Sequence, residues 1–188
     1  MVTVGGVGVM LLGAAVAGAV MWLAAWAMSQ RLGWLSALSI AGLVWSLVVI
    51  ALVTLVPTSS DTGWIMEGEA QTQCSFDYGG PAPEGFWIFS GTQRMLNTAL
   101  FVPSGALLVL VVARWPRAWR LAVAGLLALA AYSVGIEAAQ LALARIDRAC
   151  DVTDVVDNVT GAGIGFLVGL VLAAVLRPWR QRPAGDQW

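Results

Sequence analysis

The chain has 188 residues, of which 59% are hydrophobic and only 11% charged, with mean hydropathy +0.80. Soluble domains carry roughly 25% charged residues, so this composition excludes an ordinary water-soluble globule and makes lipid the solvent for much of the surface. The formal net charge of -1 implies no general attraction to nucleic acid, and the absence of His removes the most frequent general base and metal ligand.

Five apolar stretches follow one another, each long enough to cross a bilayer, which takes about 20 residues. The first runs from about Val2 to Met28, too long for a signal-peptide core of ~7–15 residues, and is rich in Gly. A tight turn over Ser29–Gly33 leads to the second, Leu35–Val56. Residues 57–93 form a long polar loop, acidic through Asp61, Glu67, Glu69, Asp77 and Glu84. The third stretch, Leu96–Ala113, contains Pro103, which removes a backbone donor and predicts a bent helix, with Asn97 and Ser104 on one face. A short basic turn precedes the fourth, Leu121–Ala144, and a short charged turn precedes the fifth, Val155–Leu176. The expected fold class is all-α: one polytopic membrane domain over residues 1–188, a bundle of about five transmembrane helices.

Arginine distribution predicts orientation, because cytoplasmic flanks carry the excess of basic residues. All ten basic residues are Arg; Arg31, Arg114, Arg117, Arg120, Arg177, Arg180 and Arg182 fall at one set of helix ends, and Arg94, Arg145 and Arg148 at the other. The N-terminus is therefore expected outside and the C-terminus in the cytoplasm. Five spans place both cysteines, Cys74 and Cys150, on the outer face, where an oxidising compartment favours a disulfide between them. Residues 57–93 then form an extracytoplasmic loop.

Three polar groups inside the spans point to a site. Glu137 and Gln140 share a face of the fourth helix with Ser133 and Ala144. A carboxylate at mid-bilayer costs roughly 2.5–3.5 kcal/mol, so that face turns into the bundle, either toward a cavity or for a structural hydrogen bond. In the run from Arg148 to Gly161, a helix beginning near Asp151 carries Asp151, Asp154, Asn158, Gly161 and Gly165 on an arc of roughly 80° at 3.6 residues per turn. The glycines continue as Gly161-x-x-x-Gly165-x-x-x-Gly169, a pattern of close helix packing. The acidic part reads either as ion pairs with Arg145 and Arg148 or as a built polar site. Asn97 and Pro103 shape the neighbouring wall.

Taken in order, Asn97-x-x-x-Phe101-x-Pro103-x-Gly105, Glu137-x-x-Gln140, and Arg148-x-x-Asp151-x-x-Asp154-x-x-x-Asn158-x-x-Gly161-x-x-x-Gly165 resemble the VanZ-like membrane proteins of bacteria, with a core over residues 94–176. The long loop with its cysteine departs from the short connection usual there. The resemblance implies a multi-pass protein of the bacterial plasma membrane, related to a protein that contributes to teicoplanin resistance. The polar residues themselves suggest an outer-facing pocket for a lipid-anchored cell-wall ligand or a lipidated glycopeptide, lined by Asn97, Glu137, Gln140, Arg148, Asp151, Asp154 and Asn158. Two alternatives stand beside it. One is an enzyme acting on a lipid-linked phosphate or acyl substrate, with Glu137, Asp151 and Asp154 as weak candidates to hold a hard cation. The other is a proton-coupled transporter using Glu137. No cofactor is expected, and oligomeric state is left open.

Overall fold

The computed structural model describes residues 5–57, 73–76, 78, 92–143 and 150–181. Five α-helices follow in order: α1 (Val7–Leu32), α2 (Trp34–Leu55), α3 (Thr92–Val112), α4 (Ala118–Leu143) and α5 (Val152–Leu176), with a short 3-10 turn over Pro178–Gln181. All five are long and apolar enough to cross a membrane, and the described residues contain no strand, only an isolated bridge between Ser75 and Asp151. The expected all-α bundle of five helices, each of spanning length and apolarity, is thus found.

Local chemistry sets the helix ends. Gly33 alone separates α1 from α2: its φ of 77° is costly for any residue with a Cβ, and its N–H bonds Ser29 O at 3.0 Å. The turn expected over Ser29–Gly33 is therefore one residue, and Ser29 to Leu32 stay helical. α5 begins three residues before the apolar stretch because Asp151 caps it, its carboxylate accepting from Thr153 N at 2.8 Å. α3 likewise starts four residues early and takes Arg94 into the helix, which the ion pair described below makes tolerable. Pro103 lies inside α3.

The helices of greatest mutual contact are α3 and α5, which run parallel at a fixed offset. Arg94 faces Asp157, Thr98 faces Gly161, Val102 faces Gly165 and Ala106 faces Gly169, each pair 63 residues apart. A methyl group on Gly161 or Gly165 would run into the backbone carbonyl of Thr98 or Val102. Backbones this close gain dispersion and weak Cα–H···O contacts, the forces that join helices when lipid removes the hydrophobic incentive. Gly105 returns the favour from α3, lying against the carbonyl of Ala162.

Around this pair an apolar core forms from Ile50, Phe101, Leu108, Val112, Leu129 and Ile136, with the Phe101 and Tyr132 rings 6.3 Å apart. Hydrogen bonds tie α2 into the bundle: Ser46 and Ser104 hydroxyls lie 2.9 Å apart, and Tyr132 OH donates to Leu47 O at 2.7 Å. α1 stands at the periphery, packed on α2, where Trp45 Nε1 donates to Ala14 O at 2.9 Å.

The two ends of the bundle differ. One gathers the starts of α1, α3 and α5 and the ends of α2 and α4; there Cys74 and Cys150 form a disulfide with Cα atoms 4.7 Å apart. Beside it Ser75 N donates to Cys150 O at 2.9 Å and Val152 N to Ser75 O at 3.0 Å, so the loop is stitched to the start of α5. The other end carries Arg31, Arg114, Arg117, Arg120 and Arg177. The disulfide spans 76 residues; loop closure of that length stabilises by roughly 3–5 kcal/mol in the chain-entropy model. Reduction of the purified protein is accordingly expected to lower its melting temperature in detergent by several degrees. An unchanged melting curve with both thiols alkylated would contradict this.

Candidate functional site

The polar residues of the spans meet at the disulfide end. Arg94 and Asp157, 8% and 0% exposed, form a two-pronged ion pair: Nε donates to Oδ2 at 2.9 Å and Nη2 to Oδ1 at 2.8 Å. A planar guanidinium matches a carboxylate in this way, with two parallel charge-assisted bonds. Tyr78 from the long loop closes over the pair, its OH accepting from Arg94 Nη2 at 3.0 Å and its ring centroid 5.1 Å from the guanidinium carbon. The segment that the disulfide tethers thus covers a charge pair that lipid could not solvate.

A second group lies between α4 and its neighbours. Ser133, Glu137 and Gln140, expected on one face, are all buried, and each is directed at a different element. Ser133 Oγ accepts from Asn158 Nδ2 of α5 at 3.0 Å. Glu137 Oε2 accepts from Asp151 N at 3.1 Å, anchoring the chain where it turns into α5. Gln140 Nε2 donates to Thr54 O at 3.0 Å. That carbonyl belongs to the last turn of α2, where no intrahelical N–H remains to serve it, so α4 completes the end of α2.

Among the described residues, three buried side-chain atoms have no hydrogen-bond partner: Asn97 Nδ2, Thr98 Oγ1 and Gln140 Oε1. Each residue is more than nine-tenths buried. Register places two of the three at one level of the bundle. Ser104 meets Ser46, and Asn97 lies seven residues before Ser104 on the same face of α3. Thr54 lies eight residues after Ser46 on α2, which runs the opposite way. At 1.5 Å rise per residue Asn97 and Thr54 come to one level of the bundle, where Gln140 already contacts Thr54. An orphaned buried amide costs about 1–3 kcal/mol, and such groups in folded proteins usually answer a water or a ligand.

The remaining expected residues divide as follows. Asp151 is half-buried and caps α5; Asp154 is half-buried in its first turn; Arg148, with Arg145, lies outside the described residues. The carboxylates of Glu137 and Asp151 both accept from backbone N–H groups. Among the described residues no group of three or more Cys, Asp or Glu side chains gathers where a metal ion could be held. The acids of the spans that the bundle buries are Glu137 and Asp157. Asp157 stood in the acidic run, but sequence reasoning set it outside the site and counted Arg94 only as a helix flank. A signal was present: a cation and an anion, each at the same end of a different span, must find each other in lipid. Tyr78 gave none, since only the tertiary structure brings its loop over α3.

No curated protein and no solved structure matches this chain. The VanZ/LLP1 family model matches residues 14–173, from the first turns of α1 to the last turn of α5, and so takes in the glycine seam, the Arg94–Asp157 pair and the Glu137–Gln140 face together. The chain belongs to the VanZ/LLP1 family.

Proposed function

We propose that this is a multi-pass protein of the bacterial plasma membrane, N-terminus outside and C-terminus in the cytoplasm, that binds a lipid-anchored cell-wall ligand or a lipidated glycopeptide at the disulfide end and thereby contributes to antibiotic tolerance. Two features support the orientation. The described arginines without a carboxylate partner sit at one end, as cytoplasmic flanks do. The disulfide sits at the other, as an oxidising compartment requires.

The observation that carries the binding role is the set of unpartnered polar atoms, Asn97 Nδ2 and Gln140 Oε1, brought to one level beside the Thr54 carbonyl. A buried amide donor and a buried amide acceptor suit a neutral polar ligand such as a sugar or peptide amide, with the acyl part of the ligand left to the bilayer. Glu137 and Asp151 hold backbone N–H groups where the chain enters α5, Asn158 ties α5 to Ser133 of α4, and Arg148 is the residue whose guanidinium suits an anionic portion of the ligand.

The test is native mass spectrometry of the protein released gently from bacterial membranes, compared with Asn97→Leu. Removing a buried amide that has no partner relieves a desolvation cost, so Asn97→Leu is expected to melt at or above the parent's temperature while losing a retained lipid-linked species. A parent that carries no such species, and binds neither teicoplanin nor a glycopeptide lacking its acyl chain, would end this reading. A variant that melts several degrees lower would instead make Asn97 a structural residue.

A further inference from the structure

The end of the bundle opposite the candidate site has a different chemistry, which the ligand proposed above does not use. In the sequence, seven of the ten arginines lie in or beside the α1–α2 and α3–α4 connections or after α5, segments that hold one acidic residue, Asp186. Five of them, Arg31, Arg114, Arg117, Arg120 and Arg177, are described, and they come from three separate places: the end of α1, the α3–α4 turn with the first turn of α4, and the end of α5. None of the five makes an ion pair among the described residues.

Two of their guanidinium groups are nevertheless placed. The guanidinium carbon of Arg114 lies 5.5 Å from the ring centroid of Trp115, and that of Arg120 lies 5.2 Å from the ring of Trp119. Stacking on an indole holds a guanidinium by one face and leaves its N–H edge open for a planar acceptor. Trp115 and Trp119 are more than half exposed, and Trp34 and Trp179 nearly half, at the same end. Indole rings in such positions mark the headgroup level of a bilayer. The open donors therefore sit where phospholipid phosphates lie, and no carboxylate of the described chain competes for them.

We infer that the Arg114–Arg120 turn, with Arg31 and Arg177 beside it, is a binding surface for anionic phospholipid headgroups in the leaflet facing that end. A zwitterionic headgroup offers a phosphate with its own cation attached, whereas an anionic one leaves net charge for the guanidinium, so the surface selects by net charge. Each basic residue near an anionic surface strengthens attraction by about fivefold, and the attraction weakens with salt as exposed charges are screened.

The experiment uses the full chain in a mild detergent with equimolar phosphatidylglycerol and phosphatidylcholine of matched acyl chains, and counts bound lipid by native mass spectrometry. The expected result is a preference of tenfold or more for phosphatidylglycerol, falling to near unity in the triple variant Arg114→Gln, Arg117→Gln, Arg120→Gln. If the triple variant does not fold, the same preference is measured on the parent at rising sodium chloride, where it should fall steadily, and on the single variant Arg120→Gln, where it should fall severalfold. Equal retention of the two lipids would overturn the inference, as would a preference that survives the triple variant or is indifferent to salt. The Asn97→Leu protein should keep the full preference, which separates this surface from the ligand site at the other end.

Discussion

Replacing Gly165 with Leu is expected to abolish the native bundle. Gly165 lies against the carbonyl of Val102, so close that even a single methyl group there would overlap backbone atoms of α3. Backbone cannot rotate aside as a side chain can, so the helices must separate, and with them Gly161 leaves Thr98 and Gly169 leaves Ala106. Overpacking a core costs typically 1–3 kcal/mol when side chains can yield; here, with the whole seam opened, more than 3 kcal/mol is expected. Gly165→Ala should do the same in weaker form. Gly163 provides the control on the same helix, since a Cβ there meets nothing within 4 Å and Gly163→Ala should leave stability unchanged or slightly raised. Thermal unfolding in detergent, followed by circular dichroism, would decide it: a Gly165→Leu protein melting with the parent would mean that α3 and α5 do not pack through this seam.

The second large effect is expected at the buried ion pair. Asp157→Ala removes both carboxylate bonds that hold the buried Arg94 guanidinium. Breaking a buried pair from one side costs about 3–5 kcal/mol, because a buried charge loses its counter-ion. Replacing both partners by apolar residues of similar size is a different experiment, since the desolvation cost of both charges disappears along with their attraction. The double variant Arg94→Leu, Asp157→Leu should therefore melt well above either of its single variants, Arg94→Leu or Asp157→Leu, and close to the parent. The coupling from the full cycle of variants is expected to reach about 3 kcal/mol, near the upper end for residues in direct contact. Additive losses would mean that the two side chains are not paired. The pair also has a consequence for the loop: Tyr78 lies over Arg94 four residues after Cys74, whose bond to Cys150 helps to hold that segment beside α5, so the double variant should blunt the destabilisation caused by reduction.

Much of the architecture is legible in the chain itself. Five apolar runs of spanning length, broken by Gly33, by the polar loop and by two arginine-bearing turns, specify five helices, because lipid allows the backbone no other way to satisfy its own hydrogen bonds between such breaks. The Gly161, Gly165 and Gly169 spacing announces a close helix contact, and the positions of Cys74 and Cys150 announce a bond between them. The face shared by Ser133, Glu137 and Gln140 must turn inward, since a carboxylate and an amide cannot face hydrocarbon.

Partner choice was the part that only the tertiary structure decided. Periodicity shows which side of a helix is buried but not which helix lies across from it. The glycine seam of α5 could have met any neighbour; the parallel register with α3 selects one, and the same offset of 63 residues that seats Gly161 on Thr98 brings Asp157 to Arg94. That is why Asp157, one position from Asn158 but turned by about 100°, takes the buried charge while Asp151 stays at the surface as a cap. The three unpartnered amide and hydroxyl groups are likewise invisible in sequence: Asn97, Thr98 and Gln140 are ordinary polar residues there, and only the packing of α2, α3, α4 and α5 around them determines which of their atoms find a partner and which are left for something else.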